Sequence, residues 1–272
     1  MSFFEAIVLG VTQGIAEWLP ISSEGVTAFL GVRFFDGITT TEIIRLSLFL
    51  HLGTMFAAII YFKKDLVLLF KNLIAYKKID KGAQNLIRFY VIATTLSGVI
   101  GFFILKGIEL LESFVVINGK ALLFVLSAML LITGILQLKR REDGHRKPED
   151  ANLADSIVLG VAQGFSALPG LSRSGLTVAS LLLRDFGDKY ALQMSFIMSL
   201  PVVLAGNILL NTSNFALTIE SFISLLFSFI FGIATMHVLI KFAKKVQFGW
   251  FVIAFSAIVA VSALLWEYNI GV

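Results

Sequence analysis

Apolar residues run in long blocks through most of the chain, with polar residues gathered between them, and the block lengths set the first reading. A bilayer crossing takes about 20 mostly apolar residues. Six blocks satisfy that length, at roughly 43–62, 88–107, 119–138, 190–211, 220–240 and 247–267. Two further apolar stretches, 3–30 and 154–183, are interrupted by proline, glycine and serine. They predict broken, re-entrant helix pairs, because irregular backbone survives at membrane depth only where protein or a water-filled cavity surrounds it. The pattern predicts an all-α polytopic membrane protein with six transmembrane helices plus two re-entrant broken-helix pairs.

The two interrupted stretches are copies of one another. "IVLGVTQGIAEWLPISSEGVT" (7–27) lies over "IVLGVAQGFSALPGLSRSGLT" (157–177) without a gap, at an offset of 150 residues. Three full spans separate the copies, and an odd number of crossings reverses direction, so the repeat should have inverted topology, with a site where the interrupted helices meet. A single membrane domain, 1–272, then divides into a first repeat (1–138), a charged linker (139–153) and a second repeat (154–272). A duplication kept only for close packing through small residues is the plainer alternative.

Composition agrees with lipid as the solvent: 57% of residues are hydrophobic, 15% are charged and 26 are Phe, and mean hydropathy is +0.90. Soluble domains carry about a quarter charged residues. The net charge of +4 reads as loop lysines facing a cytoplasm rather than as a nucleic-acid surface, since the basic residues cluster between apolar segments. Lys63, Lys64, Lys71, Lys77, Lys78 and Lys81, the linker "KRREDGHRKPED" (139–150) and "KFAKK" (241–245) mark three cytoplasmic loops, which puts both termini outside. The absence of cysteine excludes disulfides and thiolate metal sites. "MSFFEAIVLG" lacks the basic start and cleavage site of a secretory signal, so the N-terminus is expected to belong to the mature fold.

The copies share backbone cues and differ in chemistry. Gln13 and Glu17 stand at i, i+4 and share a helix face, whereas their counterparts are Gln163 and Ala167. Ser23 is matched by Arg173, so one half offers a carboxylate and the other a guanidinium. A charge within the membrane is costly unless it meets a partner or water, which favours one pocket for Glu17 and Arg173, either as a bare ion-pair staple or as part of a site. Ser172, Ser174 and Thr177 add hydroxyls, Gly170 and Gly175 allow close approach, and a helix restarting there offers free N–H groups to an anion. Arginine holds phosphate through a bidentate fork. Gln13 and Glu17 are candidate ligands for a divalent cation, Mg2+ or Ca2+. Ser22 and Ser23 are candidate nucleophiles or helix caps, and Glu24 a candidate base, a further ligand or a first-turn carboxylate. His51 and His237 read as packed or interfacial positions and His145 as a linker residue. Gln193 and Ser195 open a span that Pro201 is expected to kink beside the pocket.

These motifs resemble the undecaprenyl-diphosphate phosphatases, also called bacitracin-resistance proteins. "QGIAEWLPISS" is similar to the family's first motif and "PGLSRSGLT" matches its second, while "HLGTMFAAIIYF" and "YALQMSFIMSLP" resemble later blocks. The resemblance implies a plasma-membrane hydrolase that removes the terminal phosphate of a long polyprenyl diphosphate, recycling the lipid carrier of surface-glycan synthesis. It implies a divalent cation and roles for Gln13, Glu17, Ser23 and Arg173. The site is expected to open toward the outer face, with membrane lipid and a polyprenyl diphosphate as partners, a homodimer as an option and no nucleic acid. A lipid-phosphate transporter or flippase is the competing reading, and a structural protein with a vestigial pocket ranks behind both.

One departure bears on the chemistry. Where the family reads Pro-x-Ser-Ser-x-Gly-His, with that histidine regarded as catalytic, this chain has Val26, and it has Glu24 where a small residue is usual. Three explanations follow: Glu24 takes over the proton transfer, His51 reaches the pocket from the next span, or the reaction is lost. The first is preferred because a carboxylate two residues away stays on the same loop.

Overall fold

A chain segment without water to bond must satisfy its own amides, and the helix does so within one segment. The computed structural model describes residues 1–34, 40–112, 119–138, 144–168, 170–211, 218–242 and 248–265. Among these residues every long element is a helix, and an isolated parallel bridge joins Arg146 to Phe186. In chain order the helices are α1 (Phe3–Ala16), α2 (Ser23–Phe34), α3 (Thr40–Tyr61), α4 (Lys63–Ile74), α5 (Lys81–Glu112), α6 (Gly119–Leu138), α7 (Leu153–Phe165), α8 (Arg173–Leu183), α9 (Asp188–Asn211), α10 (Ile219–Phe242) and α11 (Phe248–Leu264).

Three expected crossings fall on helices long and apolar enough to span unaided: Lys81–Gly107 of α5, Asp188–Leu209 of α9 and Ile219–Lys241 of α10. The expected crossing at 43–62 is α3, which turns by 79° into α4. Those at 119–138 and 247–267 fall on α6 and α11, whose apolar parts Leu123–Leu136 and Val252–Leu264 are shorter; residues 247, 266 and 267 lie outside the described residues. Both interrupted stretches are helix, break, helix, with the breaks at 17–22 and 166–172. Pro201 lies inside α9, which continues through it to Asn211. The stretch after Lys63, expected as a lysine-rich loop, contains α4 instead. Of its apolar residues, Leu66, Val67, Leu69, Phe70, Leu73 and Ile74 recur with a helical period and Leu68 falls on the other face, a signal that block length alone does not register.

The two short first helices of the halves dock alike. α1 packs along α10 and α7 along α5, while α3 meets α9 and α6 meets α11. Matched glycines permit the approach: a Cβ at Gly14 would stand 2.7 Å from the Ser228 carbonyl oxygen, and one at Gly164 would stand 2.6 Å from Ile100 Cβ. Removing the side chain lets one backbone lie against the next, where dispersion rather than water exclusion holds helices together.

Matched capping boxes start both helices. Ser2 Oγ accepts from the Glu5 N–H at 3.2 Å and the Ser2 N–H donates to Glu5 at 2.7 Å. Asn152 Oδ1 accepts from the Asp155 N–H at 3.1 Å and the Asn152 N–H donates to Asp155 at 2.8 Å. Such reciprocal bonds satisfy donors that a helix start leaves open.

Candidate active site

The breaks bring the first-copy acid to the second-copy base. α1 ends with Gln13 and Glu17 one turn apart, the Glu17 N–H bonding the Gln13 carbonyl at 3.0 Å. The chain then turns through Ser22, which adopts a left-handed φ of 59°, a conformation that costs a non-glycine residue strain unless its surroundings fix it. Here Ser22 Oγ accepts from the Gly25 N–H at 3.1 Å, capping α2 and leaving Ser23 as its first residue. In the second loop Gly170 takes φ of 90°, and a Cβ there would stand 3.0 Å from Leu126 Cα. Ser172 caps α8 by accepting from the Gly175 N–H at 3.1 Å, with Arg173 first in the helix. Pro169 of the motif lies outside the described residues.

Glu17 is the hub. Its Oε1 receives the guanidinium of Arg173 in an ion pair. Its Oε2 accepts from Ser23 Oγ at 2.6 Å and from the Gln13 amide at 2.8 Å, and lies 3.0 Å from His51 Nε2. Gln13, Glu17, Ser23 and His51 are all buried. In such surroundings a carboxylate persists because its lone pairs are met by donors and an opposite charge. Gln13 Oε1, also buried, has no hydrogen-bond partner.

His51 joins the cluster from α3, which packs against α1 and α2. Its Nδ1 lies 2.7 Å from the Ser47 carbonyl; a carbonyl only accepts, so Nδ1 carries a proton and Nε2 is turned to Glu17 and, at 3.5 Å, to Ser23 Oγ. The backbone around it is tied down: Asn207 donates to the Leu48 carbonyl and Ser228 to the Leu50 carbonyl, each at 2.8 Å. A histidine whose Nε2 reaches both a carboxylate and a hydroxyl is placed to pair with Glu17 and to move a proton to or from Ser23.

The remaining expected residues divide by what they touch. Glu24 leaves 40% of its side chain exposed, with Oε1 4.0 Å from His51 Nε2. Ser174 Oγ crosses between the loops to donate to the Leu19 carbonyl at 2.9 Å and lies 3.3 Å from Ser172 Oγ. Thr177 donates to the Arg173 carbonyl at 2.7 Å and meets Ser195 Oγ of α9 at 2.6 Å. The first copy repeats this tie: Thr27 bonds the Ser23 carbonyl at 2.7 Å and meets Ser47 of α3 at 2.9 Å. Each loop helix is thus bolted to the following span. Val26, at the family's histidine position, packs with Ile21, Leu126 and Leu130. His237 is exposed beside the Tyr61 hydroxyl at 3.4 Å, and His145 is exposed 3.7 Å from Asp185. A sequence signal for His51 existed in "SLFLHLGT", where polar residues fall at 47, 51 and 54 on one face of an otherwise apolar helix.

The donor set is suited to hard-anion chemistry rather than to a closed metal cage. Among the described residues no group of three or more His, Asp or Glu is arranged to hold a metal ion. The orphaned Gln13 Oε1 beside Glu17 does fit as a protein contact for a hard cation carried mostly by other oxygens.

Comparison with known proteins follows the same lines. A family model described as bacitracin resistance protein BacA matches residues 6–261. The chain is 41% identical to a protein of Methanococcoides burtonii named undecaprenyl-diphosphatase, over 97% of this chain and 100% of that one. It is 35% identical to a protein of the same name from Methanothrix thermoacetophila, over 97% and 98% of the two chains. It is 31% identical to undecaprenyl-diphosphatase 2 of Halalkalibacterium halodurans, over 95% of each.

Proposed function

The chain belongs to the bacitracin resistance protein family, and from that premise we propose that it hydrolyses a long-chain, undecaprenyl-type polyprenyl diphosphate to the monophosphate and inorganic phosphate. The observation that carries this reading is the union of Glu17, Ser23, His51 and Arg173 in one buried cluster drawn from both loops and α3. An ion-pair staple needs only Glu17 and Arg173. The serine and histidine on the other carboxylate oxygen are what a staple leaves unexplained.

In the proposed reaction Arg173 turns its guanidinium from Glu17 to the terminal phosphoryl oxygens, joined by free N–H groups at the start of α8. Ser23 Oγ attacks the terminal phosphorus as its proton passes to the Glu17 and His51 pair. The bond from that phosphorus to the bridging oxygen breaks, the pair passes its proton to that oxygen, and the polyprenyl monophosphate leaves. Water, deprotonated by the same pair, then cleaves the phosphoserine, releasing phosphate and restoring Ser23. A divalent cation held by Gln13 and Glu17 together with diphosphate oxygens would neutralise substrate charge. Ser22 and Ser172 serve by shaping the loops, and Ser174 and Thr177 by fixing Arg173.

The proposed topology is an inverted repeat in which α3, α5, α6, α9, α10 and α11 cross the membrane. Exchange of the halves maps the α1–α10 contact onto α7–α5 and pairs α3 with α9 and α6 with α11, which supports it. The site would then face the outer side of the plasma membrane.

The test is phosphate release from a long-chain polyprenyl diphosphate by purified protein in detergent, with Mg2+ or with EDTA. Wild type should turn over with metal, and Ser23→Ala, Glu17→Gln and Arg173→Ala should each lose about 10²–10⁴-fold in kcat/KM. Full activity in Arg173→Ala would end the proposal.

A further inference from the structure

One element has no partner in the duplicated plan. Residues 62–80 separate α3 from α5, whereas only residues 212–218 separate α9 from α10, so α4 is an addition to the first half that the repeat itself does not require. It breaks from α3 by 79°, and no residue in it is buried. Leu66 and Leu69 lean on the cluster of Phe62, Met236 and Leu239. The rest of the apolar arc projects away from the protein, with Val67 54%, Phe70 64%, Leu73 50% and Ile74 74% exposed. Lys64 and Lys71, at i, i+7, lie on the opposite arc with Leu68, which is 58% exposed, and Lys77, Lys78 and Lys81 follow directly.

A helix turned this far from a membrane-crossing neighbour runs close to the membrane plane, at the level where the apolar part of α3 ends. Its projecting apolar residues reach the acyl chains, and its lysines stand at headgroup height. Six lysines against Asp65 and Asp80 over 63–81 give the stretch a strong positive excess. Zwitterionic headgroups would leave that charge uncompensated; acidic ones match it.

We propose that α4 and the turn after it form an in-plane foot that binds anionic phospholipid headgroups, independently of the phosphatase site. The chain has no cysteine, so a single introduced one can be labelled uniquely. In nanodiscs of equal phosphatidylglycerol and phosphatidylcholine, a spin label at Phe70→Cys should be accessible to oxygen, and one at Lys71→Cys to a water-soluble relaxant. Native mass spectrometry should find phosphatidylglycerol retained at least threefold over phosphatidylcholine on wild type. Lys64→Gln/Lys71→Gln/Lys77→Gln/Lys78→Gln should retain the two equally, with turnover in detergent within twofold of wild type. Lys77→Gln/Lys78→Gln, which leaves α4 untouched, should give an intermediate ratio and guards against loss of the helix. No preference in wild type, an undiminished preference in the fourfold variant, or a water-exposed label at position 70 would each overturn the proposal; the last would point to a soluble acidic partner instead.

Discussion

At the scale of single residues the question is which group takes the proton from Ser23, given that Val26 faces an apolar cluster with Leu126 and Leu130. Glu24 stays on the same loop, but it is partly exposed and 4.0 Å from His51 Nε2. His51 is buried, its ring is fixed by the Ser47 carbonyl, and its Nε2 lies 3.0 Å from the carboxylate that Ser23 already bonds. Proton transfer depends first on reach and then on basicity. His51→Gln keeps the size and loses the base, and should lower kcat about 10²–10³-fold with KM changed less than threefold, whereas Glu24→Gln should cost less than tenfold. Phosphate release measured over a range of substrate concentrations checks this, and the reverse ranking would hand the role to Glu24. Proximity in sequence favours Glu24 because the loop is contiguous. What decides for His51 is the docking of α3 against α2, α9 and α10, a tertiary fact that the polar face at 47, 51 and 54 does not by itself contain.

The elements show where sequence was informative and where it was not. Both broken pairs were legible from proline, glycine and serine inside apolar stretches, because those residues interrupt helices for local reasons. α4 was not, since its amphipathic period is hidden among lysines that also mark a loop. Nor was the clamp at the start of α7 legible. There Asp155, buried, accepts from Arg146 at 2.5 and 3.0 Å and from Arg184 at 2.6 Å, and the Arg146 guanidinium sits 4.3 Å over the Phe186 ring. Among the described residues the matching Glu5 bonds only within its capping box, so the repeat does not announce the clamp. The clamp fastens the linker to the start of α7 and the end of α8, and thereby to the base of the hairpin carrying Arg173. Burial works to raise the Asp155 pKa, but the hydrogen bonds from Arg146, Arg184 and the Asn152 N–H prevail and hold it below the usual carboxylate range. A depressed folded-state pKa gives stability that is complete above the unfolded value of about 3.9 and is lost as pH falls through the folded value. Asp155→Asn should therefore lower stability by about 3 kcal/mol at pH 7. The difference between the two proteins in thermal unfolding should shrink below about pH 4. A pH-independent difference would mean that the carboxylate charge contributes nothing there.

At the scale of the molecule, the site draws on two copies of one hairpin that differ in chemistry, one carrying the acid and the other the guanidinium. Apart, each half would bury its charge poorly matched: the first would leave Glu17 with His51 but without the guanidinium, and the second would leave Arg173 without Glu17, a loss of several kcal/mol. The sequence showed this complementarity in register, Ser23 against Arg173 at an offset of 150, and the ion pair between Glu17 and Arg173 joins the halves in space. In the proposed inverted repeat the hairpins enter from opposite faces, and that follows if α3, α5 and α6 all cross between them. Sidedness of labelling tests the crossings one by one. Single cysteines at Lys77 and His145 should both be shielded from an impermeant maleimide in intact cells and react once the membrane is opened, while one at Ser2 should react from outside. Lys77 and His145 are separated by α5 and α6, so a shared face requires that both cross or neither does, and α5 is long and apolar enough to cross unaided. α6 carries only Leu123–Leu136 as its described apolar core, about 21 Å of helix against a hydrocarbon thickness near 30 Å, and is the weakest member of the set. If Lys77 and His145 labelled from opposite faces, α6 would be re-entrant or lie in the plane, the two hairpins would enter from the same side, and the inverted repeat would fall. The ion pair itself would survive that outcome, but the diphosphate would then have to approach the site from the face on which both hairpins enter.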